Sequence, residues 1–229
     1  MKVLLSIFAS SVLLGCGSSN SGSGENCVDD ICYRLTFHEV WNAGNFPTEY
    51  PVNSHFSPLI GAVHGPAVDF FELNQSASSG IESMAETGNT TLLRGAIEDA
   101  VNAVTALNVI LGDGISNANT SASVVFGVTD AFPMVTLVSM VAPSPDWFIG
   151  IDSLNLKDVN DNFYDNLTIN LEVYDAGTDQ GVSFASTNSN DNSVITKLSC
   201  VDLMNHCGFT NGVGTDGVQF IGRFEFKKL

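Results

Sequence analysis

Met134-Val135-Thr136-Leu137-Val138-Ser139-Met140-Val141-Ala142-Pro143-Ser144-Pro145-Asp146-Trp147-Phe148-Ile149-Gly150-Ile151-Asp152 is an apolar run, a turn built from two prolines, and a second apolar run. The runs Met134–Val141 and Phe148–Asp152 are strand-like, and the prolines punctuate them. The pattern returns further on, where Leu167, Ile169, Leu171 and Val173 alternate with polar partners before Tyr174-Asp175-Ala176-Gly177-Thr178-Asp179-Gln180-Gly181. That alternation predicts a strand with one wet face. More strand-like runs lie at Tyr33–Val40, Ser123–Thr129, Val194–Ser199 and Val218–Phe226, with Gly, Pro, Asn and Asp between them. Runs at this spacing predict a mostly β chain folded as an antiparallel β-sandwich, not a helical or parallel α/β fold.

One segment departs from the β pattern. Leu93, Ile97, Val101, Val104, Leu107 and Leu111 recur at helical spacing, and Gly112 stands where a C-terminal cap belongs. They predict one helix over about 90–111, packed on the sandwich. Ser79-Gly80-Ile81-Glu82 has the capping-box pattern and predicts a shorter helix over about 79–87, ended by Gly88.

The chain has 229 residues, 44% hydrophobic and 14% charged, enough for one domain with a packed core. Its 25 acidic residues against 8 basic ones give a formal charge of −17, which leaves no basic surface for nucleic acid. Such acidity suits solubility outside a cell, or divalent-cation binding at some of the carboxylates.

Met1-Lys2 and the apolar stretch Val3–Leu14 read as a secretory signal, too short to span a bilayer. Leu13-Leu14-Gly15-Cys16 resembles the bacterial lipobox, in which the cysteine is acylated and becomes the mature N-terminus. The expected organisation is a signal peptide at 1–15, a lipid-anchored flexible tether at 16–26 and a single domain at 27–229. An ordinary cleaved signal is the alternative. The remaining cysteines form two close pairs, Cys27/Cys32 and Cys200/Cys207, for which local disulfides are the natural expectation in an exported protein. Other connectivities stay open, and a zinc site is a weaker rival because neither spacing is a short knuckle.

The two turns carry the chemistry. Asp146 follows prolines that restrict its loop, and Asp175 and Asp179 share a Gly-containing turn whose carbonyls can bend inward. Three carboxylates on rigid loops suit a hard cation, although aspartates also cap turns on their own account.

Six stretches together resemble the spondin N-terminal domain family. They are Phe46-Pro47-x-x-Tyr50-Pro51, His55-Phe56-Ser57-Pro58-Leu59-Ile60-Gly61-x-x-His64, Ala77-Ser78-x-Gly80-Ile81, Ala85-Glu86-x-Gly88, the segment Val138–Gly150, and Asp175-Ala176-Gly177-Thr178-Asp179-x-Gly181. The resemblance covers about residues 33 to 190 and implies a C2-like β-sandwich that binds calcium through Asp146, Asp175 and Asp179. Calcium takes six to eight oxygens from carboxylates, carbonyls and water, which such loops can supply. The family occurs in extracellular-matrix and adhesion proteins of animals and in exported bacterial proteins. Two departures stand out. Residues 152–166 lack the cysteine pair of animal members, and no thrombospondin-type repeat follows, so their receptors do not carry over.

Other motifs are weaker. Asp158-Val159-Asn160-Asp161-Asn162 begins like an EF-hand loop but has Phe163 for the required Gly and Ile169 for the final Glu. His38, His55, His64 and His206 lack metalloprotease spacing, and the chain has no nucleophile elbow or phosphate-binding glycine loop. The expectation is a non-enzymatic, calcium-binding, lipid-anchored extracytoplasmic domain for adhesion or ligand binding, attached to a membrane through its N-terminal lipid and engaging an unknown surface protein or glycan. Its expected location is the bacterial cell envelope, and the outer membrane in particular, because Gly17 stands where an inner-membrane retention aspartate would. The alternative is a secreted hydrolase or carbohydrate-active enzyme using Asp146 and Asp175 as acid and base.

Overall fold

The computed structural model describes residue 27 and residues 31–46, 50–116, 119–198 and 220–229. The signal, Cys16, the tether, Cys200, Cys207 and His206 lie outside the described residues. In chain order the elements are β1 (Ile31–Glu39), β2 (His55–Phe56), β3 (Ile60–His64), α1 (Ser79–Thr87), α2 (Thr91–Asn102), β4 (Ala106–Leu111), β5 (Ser121–Val128), β6 (Met134–Ala142), β7 (Trp147–Asn155), β8 (Asn166–Leu171), β9 (Val173–Asp175), β10 (Thr196–Lys197) and β11 (Gly222–Lys228). One sheet runs β5-β1-β11-β8; the other runs β10-β9-β7-β6-β3-β4, with β2 beside β6. Their pairings are antiparallel, so the fold is the expected mostly β sandwich with two packed helices.

Period-two burial builds the space between the sheets. Tyr33, Leu35 and Phe37 of β1 and Phe224 and Phe226 of β11 turn inward to meet Leu137 and Ile149 of the opposing sheet. Phe37 sits edge-on to Phe56 at 4.9 Å and to Phe224 at 5.3 Å, the arrangement that aromatic quadrupoles favour. On its other face the larger sheet carries the helices. Ile60, Val138, Met140 and Phe148 pack there against Met84 of α1 and Ile97 of α2. Strand β6 is thus buried on both faces, which is why its sequence is apolar almost without interruption.

Helix α1 spans the expected Ser79–Thr87, with the cap one residue before the Ser79 of the capping-box pattern. Ser78 is the N-cap and its hydroxyl accepts the Ile81 N–H at 3.3 Å, while Gly88, at φ 69°, closes the helix as expected.

The single helix expected over 90–111 is corrected to a helix and a strand. α2 ends at Asn102, Val104 takes a positive φ of 59°, and Ala106–Leu111 forms β4 against β3. The physical reason is competition for β3. Its far edge needs a hydrogen-bonding partner, and Ala106–Leu111 provides one, antiparallel from Ile60↔Leu111 to Val63↔Asn108 and then, after a register shift, at His64↔Ala106. Gly112 therefore caps no helix; its N–H donates to the Leu59 carbonyl at 3.0 Å.

The run Leu167–Tyr174 is likewise two strands. At Glu172 the chain leaves one sheet for the other, yet Leu171 and Val173 both enter the core between the sheets, so the sequence alternation is unbroken. Cys27 and Cys32 form the expected local disulfide.

Candidate metal centre

Asp146 occupies the turn between β6 and β7. Ser144 shapes that turn, its hydroxyl oxygen accepting the Trp147 N–H at 3.0 Å. Trp147 pairs with Asp175 across β7 and β9, which brings the second carboxylate-bearing turn alongside the first. The Asp146 side chain then spans the gap. Its Oδ2 accepts the Thr178 N–H at 2.8 Å, the Asp179 N–H at 3.1 Å and the Thr178 hydroxyl at 3.3 Å. Its Oδ1 is buried and has no hydrogen-bond partner.

Glycines make the second turn possible. Gly177 has φ 71°, a conformation that costs other residues about 1–2 kcal/mol. Gly181 lies so close to the first turn that a Cβ there would meet Pro145 Cγ at 2.5 Å. Asp175 Oδ1 accepts the Gly177 N–H at 2.8 Å; Asp179 accepts the Gly181 N–H at 2.7 Å and the Ser189 N–H at 3.1 Å. The expected trio is therefore held in two joined loops at one end of the sandwich, with Asp146 0% and Asp179 4% exposed.

The charges acting on this cluster are negative. Burial, and then the Asp146 charge, raise the Asp175 carboxyl to about 6. Burial raises Asp146 as well, against the lowering effect of its backbone hydrogen bonds. Glu86, near the end of α1, is raised by burial, with repulsion from Glu82, Asp179 and Asp146 adding to it. Glu86 is the neighbour that sequence reasoning passed over. It stood in the Ala85-Glu86-x-Gly88 match, but a position on a helix 60 residues before Asp146 gave no sign that one carboxylate feels the charge of the other.

Calcium fits the donor chemistry of these residues. The donors are hard oxygens, they repel one another, and one buried carboxylate oxygen has nothing to accept. The side chains do not converge on one point as placed: among the described residues, no group of three or more His, Cys, Asp or Glu is arranged to hold a metal ion. Asp175 and Asp179 instead spend oxygens on the backbone of their own loops, which is the turn-capping role that aspartate often takes.

The remaining candidates have structural partners. Buried His64 bonds through Nδ1 to the Gly65 carbonyl and through Nε2 to Thr136 Oγ1, each at 2.9 Å. His38 faces Glu225 at 3.1 Å, and His55 contacts the Asn53 carbonyl at 2.8 Å. The Asp158–Asn162 loop is a polar turn: Asp158 accepts the Asn160 and Asn162 N–H groups, and Lys157 lies 3.0 Å from Asp161. No helix among the described residues is long and apolar enough to cross a membrane.

Fold and loops together define a helix-covered antiparallel β-sandwich with a carboxylate cluster at one end. Residues 31–203 match the family model described as Spondin_N, and the chain belongs to the spondin N-terminal domain family. It is 33% identical over 160 residues to human (Homo sapiens) spondin-2, a match covering 68% of this chain and 48% of that protein. Spondin-2 of Rattus norvegicus is 31% identical over the same length. Spondin-1 of Xenopus laevis is 30% identical over 180 residues, covering 73% of this chain and 22% of that protein. The chain thus spans about half of the spondin-2 relatives and a smaller part of spondin-1.

Proposed function

We propose that this protein is a non-enzymatic extracytoplasmic adhesion or ligand-binding domain, stabilised by calcium and tethered to the bacterial envelope through lipid on Cys16. Asp146, Asp175 and Asp179 would hold the ion, whose contribution is electrostatic: it ties the β6–β7 turn to the 175–181 loop. The observation that carries the metal reading is the buried Asp146 Oδ1 without a partner. Membership of the spondin family supports an extracytoplasmic binding role, and the unknown surface protein or glycan is the partner class in view.

The enzyme reading draws no support from the site. Asp146 is 0% exposed, out of reach of a substrate, and so unsuited to work as an acid or base. An ion bound only by the folded state adds about 2.7 kcal/mol at a hundredfold excess over Kd. The purified protein is therefore expected to contain calcium and to melt higher in calcium than in EDTA. Equal melting temperatures, with no calcium in the purified protein, would overturn the metal reading. Capture of an envelope or extracellular protein or glycan by the calcium-loaded protein tests the binding role, and hydrolysis of polysaccharides or esters lost in Asp175→Asn would replace it with the enzyme.

A further inference from the structure

A strand points alternate side chains to opposite faces of its sheet. In the four-stranded sheet Tyr33, Leu35 and Phe37 of β1 and Phe224 and Phe226 of β11 point into the sandwich. Arg34, Thr36, His38, Arg223, Glu225 and Lys227 therefore share the outer face, and the register sets them in rows. Arg34 stands opposite Lys227, Thr36 opposite Glu225, and His38 opposite Arg223. Three of the eight Lys and Arg residues of the chain thus meet on one face, although acids outnumber bases 25 to 8 overall. Glu225 is the one carboxylate among the described outward positions of these four strands. The helices pack on the other sheet, and the Arg223 and Glu225 side chains are each 42% exposed.

The flanking strands widen this face without adding charge. Ser121 and Ser123 of β5 lie beside β1, and Thr168 and Asn170 of β8 lie beside β11. Ser123 donates its hydroxyl to Thr36 Oγ1 at 3.1 Å. Glu225 is held between Arg223 Nε at 2.7 Å and His38 Nε2 at 3.1 Å, so its charge is met within the sheet. The Arg34–Lys227 and His38–Arg223 rows are four residues apart, about 13 Å along the strands. At physiological salt, charges on a surface act over about 8 Å, so an anion that reaches this face meets its cations and not the net charge of the chain.

We propose that this outer sheet face binds a linear acidic glycan in which carboxylated sugars are separated by neutral ones. The two cationic rows take carboxylates, and the Ser, Thr and Asn side chains around them take sugar hydroxyls. The assignment rests on the ligand-binding reading of the domain and names its partner class; it does not depend on calcium. Charge complementarity calls for an anion. The wide spacing of the rows fits sparse charges and not nucleic acid, whose duplex carries a phosphate about every 1.7 Å. The side chains also disfavour a protein partner. Interface cores are enriched in aromatic residues, whereas the aromatic residues of β1 and β11 point inward. Ser, Thr and Asn both donate and accept hydrogen bonds, as sugar hydroxyls require.

The test is calorimetric titration of the full chain with a hyaluronan oligosaccharide, whose sugars alternate between glucuronate and N-acetylglucosamine. Binding is expected, and it should weaken as salt is raised. Lys227→Gln and Arg223→Gln should each bind about threefold more weakly, and the double variant about tenfold more weakly. Arg94→Gln removes the same charge from an exposed position on α2 and should bind like the parent. Thr168→Asp adds an anion to the face and leaves every cation in place, and it too should weaken binding. Each variant should melt with the parent, since these side chains lie outside the core. Equal weakening in Arg94→Gln, or equal affinity for a neutral maltodextrin, would overturn the sheet face as the site. Equal affinity for a poly-glutamate peptide would replace the glycan with an acidic protein, and a dimer dissolved by Lys227→Gln would replace it with a second copy of the chain. If hyaluronan does not bind while the calcium-loaded protein captures another envelope partner, the glycan face falls and the binding role stands. Failure of both removes both proposals.

Discussion

Asp146 Oδ2 accepts the backbone N–H of Thr178 at 2.8 Å, joining the β6–β7 turn to a residue 32 positions further on. A second N–H, from Asp179, reaches the same oxygen at 3.1 Å. Asp146→Ala deletes the acceptor for both and leaves buried donors unsatisfied, a loss of about 2–4 kcal/mol. Asp146→Asn keeps an acceptor but not the charge. In urea unfolding without calcium, Asn should stay within about 1 kcal/mol of the parent while Ala falls well below it. In calcium, neither variant should recover the parent's upward shift in melting temperature. An Ala variant as stable as the parent would show that the tie between the turns carries no stability.

The Asp175 carboxyl contributes to the pH response of the calcium-free domain, alongside Glu39, which burial raises to about 7. Burial first, and the Asp146 charge second, raise it from 3.8 to about 6. A raised acid binds its proton more tightly in the folded state than in the unfolded chain. Its stabilising contribution is therefore complete below the unfolded value and is lost as pH rises through the folded one. In EGTA, the stability difference between the parent and Asp175→Asn should change across pH 4 to 6, with the parent losing ground as pH rises. Carboxylates lowered by hydrogen bonds, such as Asp158 and Asp191, pull the other way, and the comparison with Asp175→Asn cancels them. Calcium held by Asp175 would reverse the trend, because the ion needs the ionised carboxylate. The melting shift it produces should grow through about pH 6, and a shift independent of pH would remove Asp175 from the site.

The sandwich was legible because its strands announce their environments. β6 is buried on both faces and reads as a continuous apolar run; β1, with one face packed inward, alternates. The segment from Thr91 to Leu111 was not legible as helix and strand, because the spacing that places Leu93 and Ile97 under a helix continues through Leu107 and Leu111 by coincidence. The demand of β3 for a partner is nonlocal, and no window of the sequence contains it. At the site, Asp146, Asp175 and Asp179 stood out through turn chemistry and ordered motifs. Glu86 did not, since its relation to them is created by docking of a helix.

Val104 is the residue at which the helix expectation failed, and its backbone is where stability can be gained. It is β-branched, has φ 59° and is 73% exposed, so its side chain adds little packing to offset an unfavourable conformation. Asn tolerates left-handed backbone far better. Val104→Asn should raise stability by about 1 kcal/mol, read as a higher denaturation midpoint at unchanged slope. A lower midpoint would show that the Val104 side chain has a packing role.

Two glycines should respond to alanine in opposite directions. Gly95 lies within α2, and a Cβ there would meet nothing within 4 Å. Alanine at that position costs no contact and removes the entropic disadvantage of glycine in a helix, a gain of about 1 kcal/mol. Gly181 has no such room. A Cβ would meet Pro145 Cγ at 2.5 Å and Ser186 Cβ at 2.8 Å, and the proline ring cannot swing aside. Gly181→Ala must part the two turns or strain them, at a cost of about 1–3 kcal/mol. Because the same contact brings Asp146 and Asp179 together, the calcium-induced melting shift should shrink in Gly181→Ala and stay intact in Gly95→Ala. A full shift in Gly181→Ala would mean that the two turns hold their carboxylates independently of the Pro145–Gly181 contact.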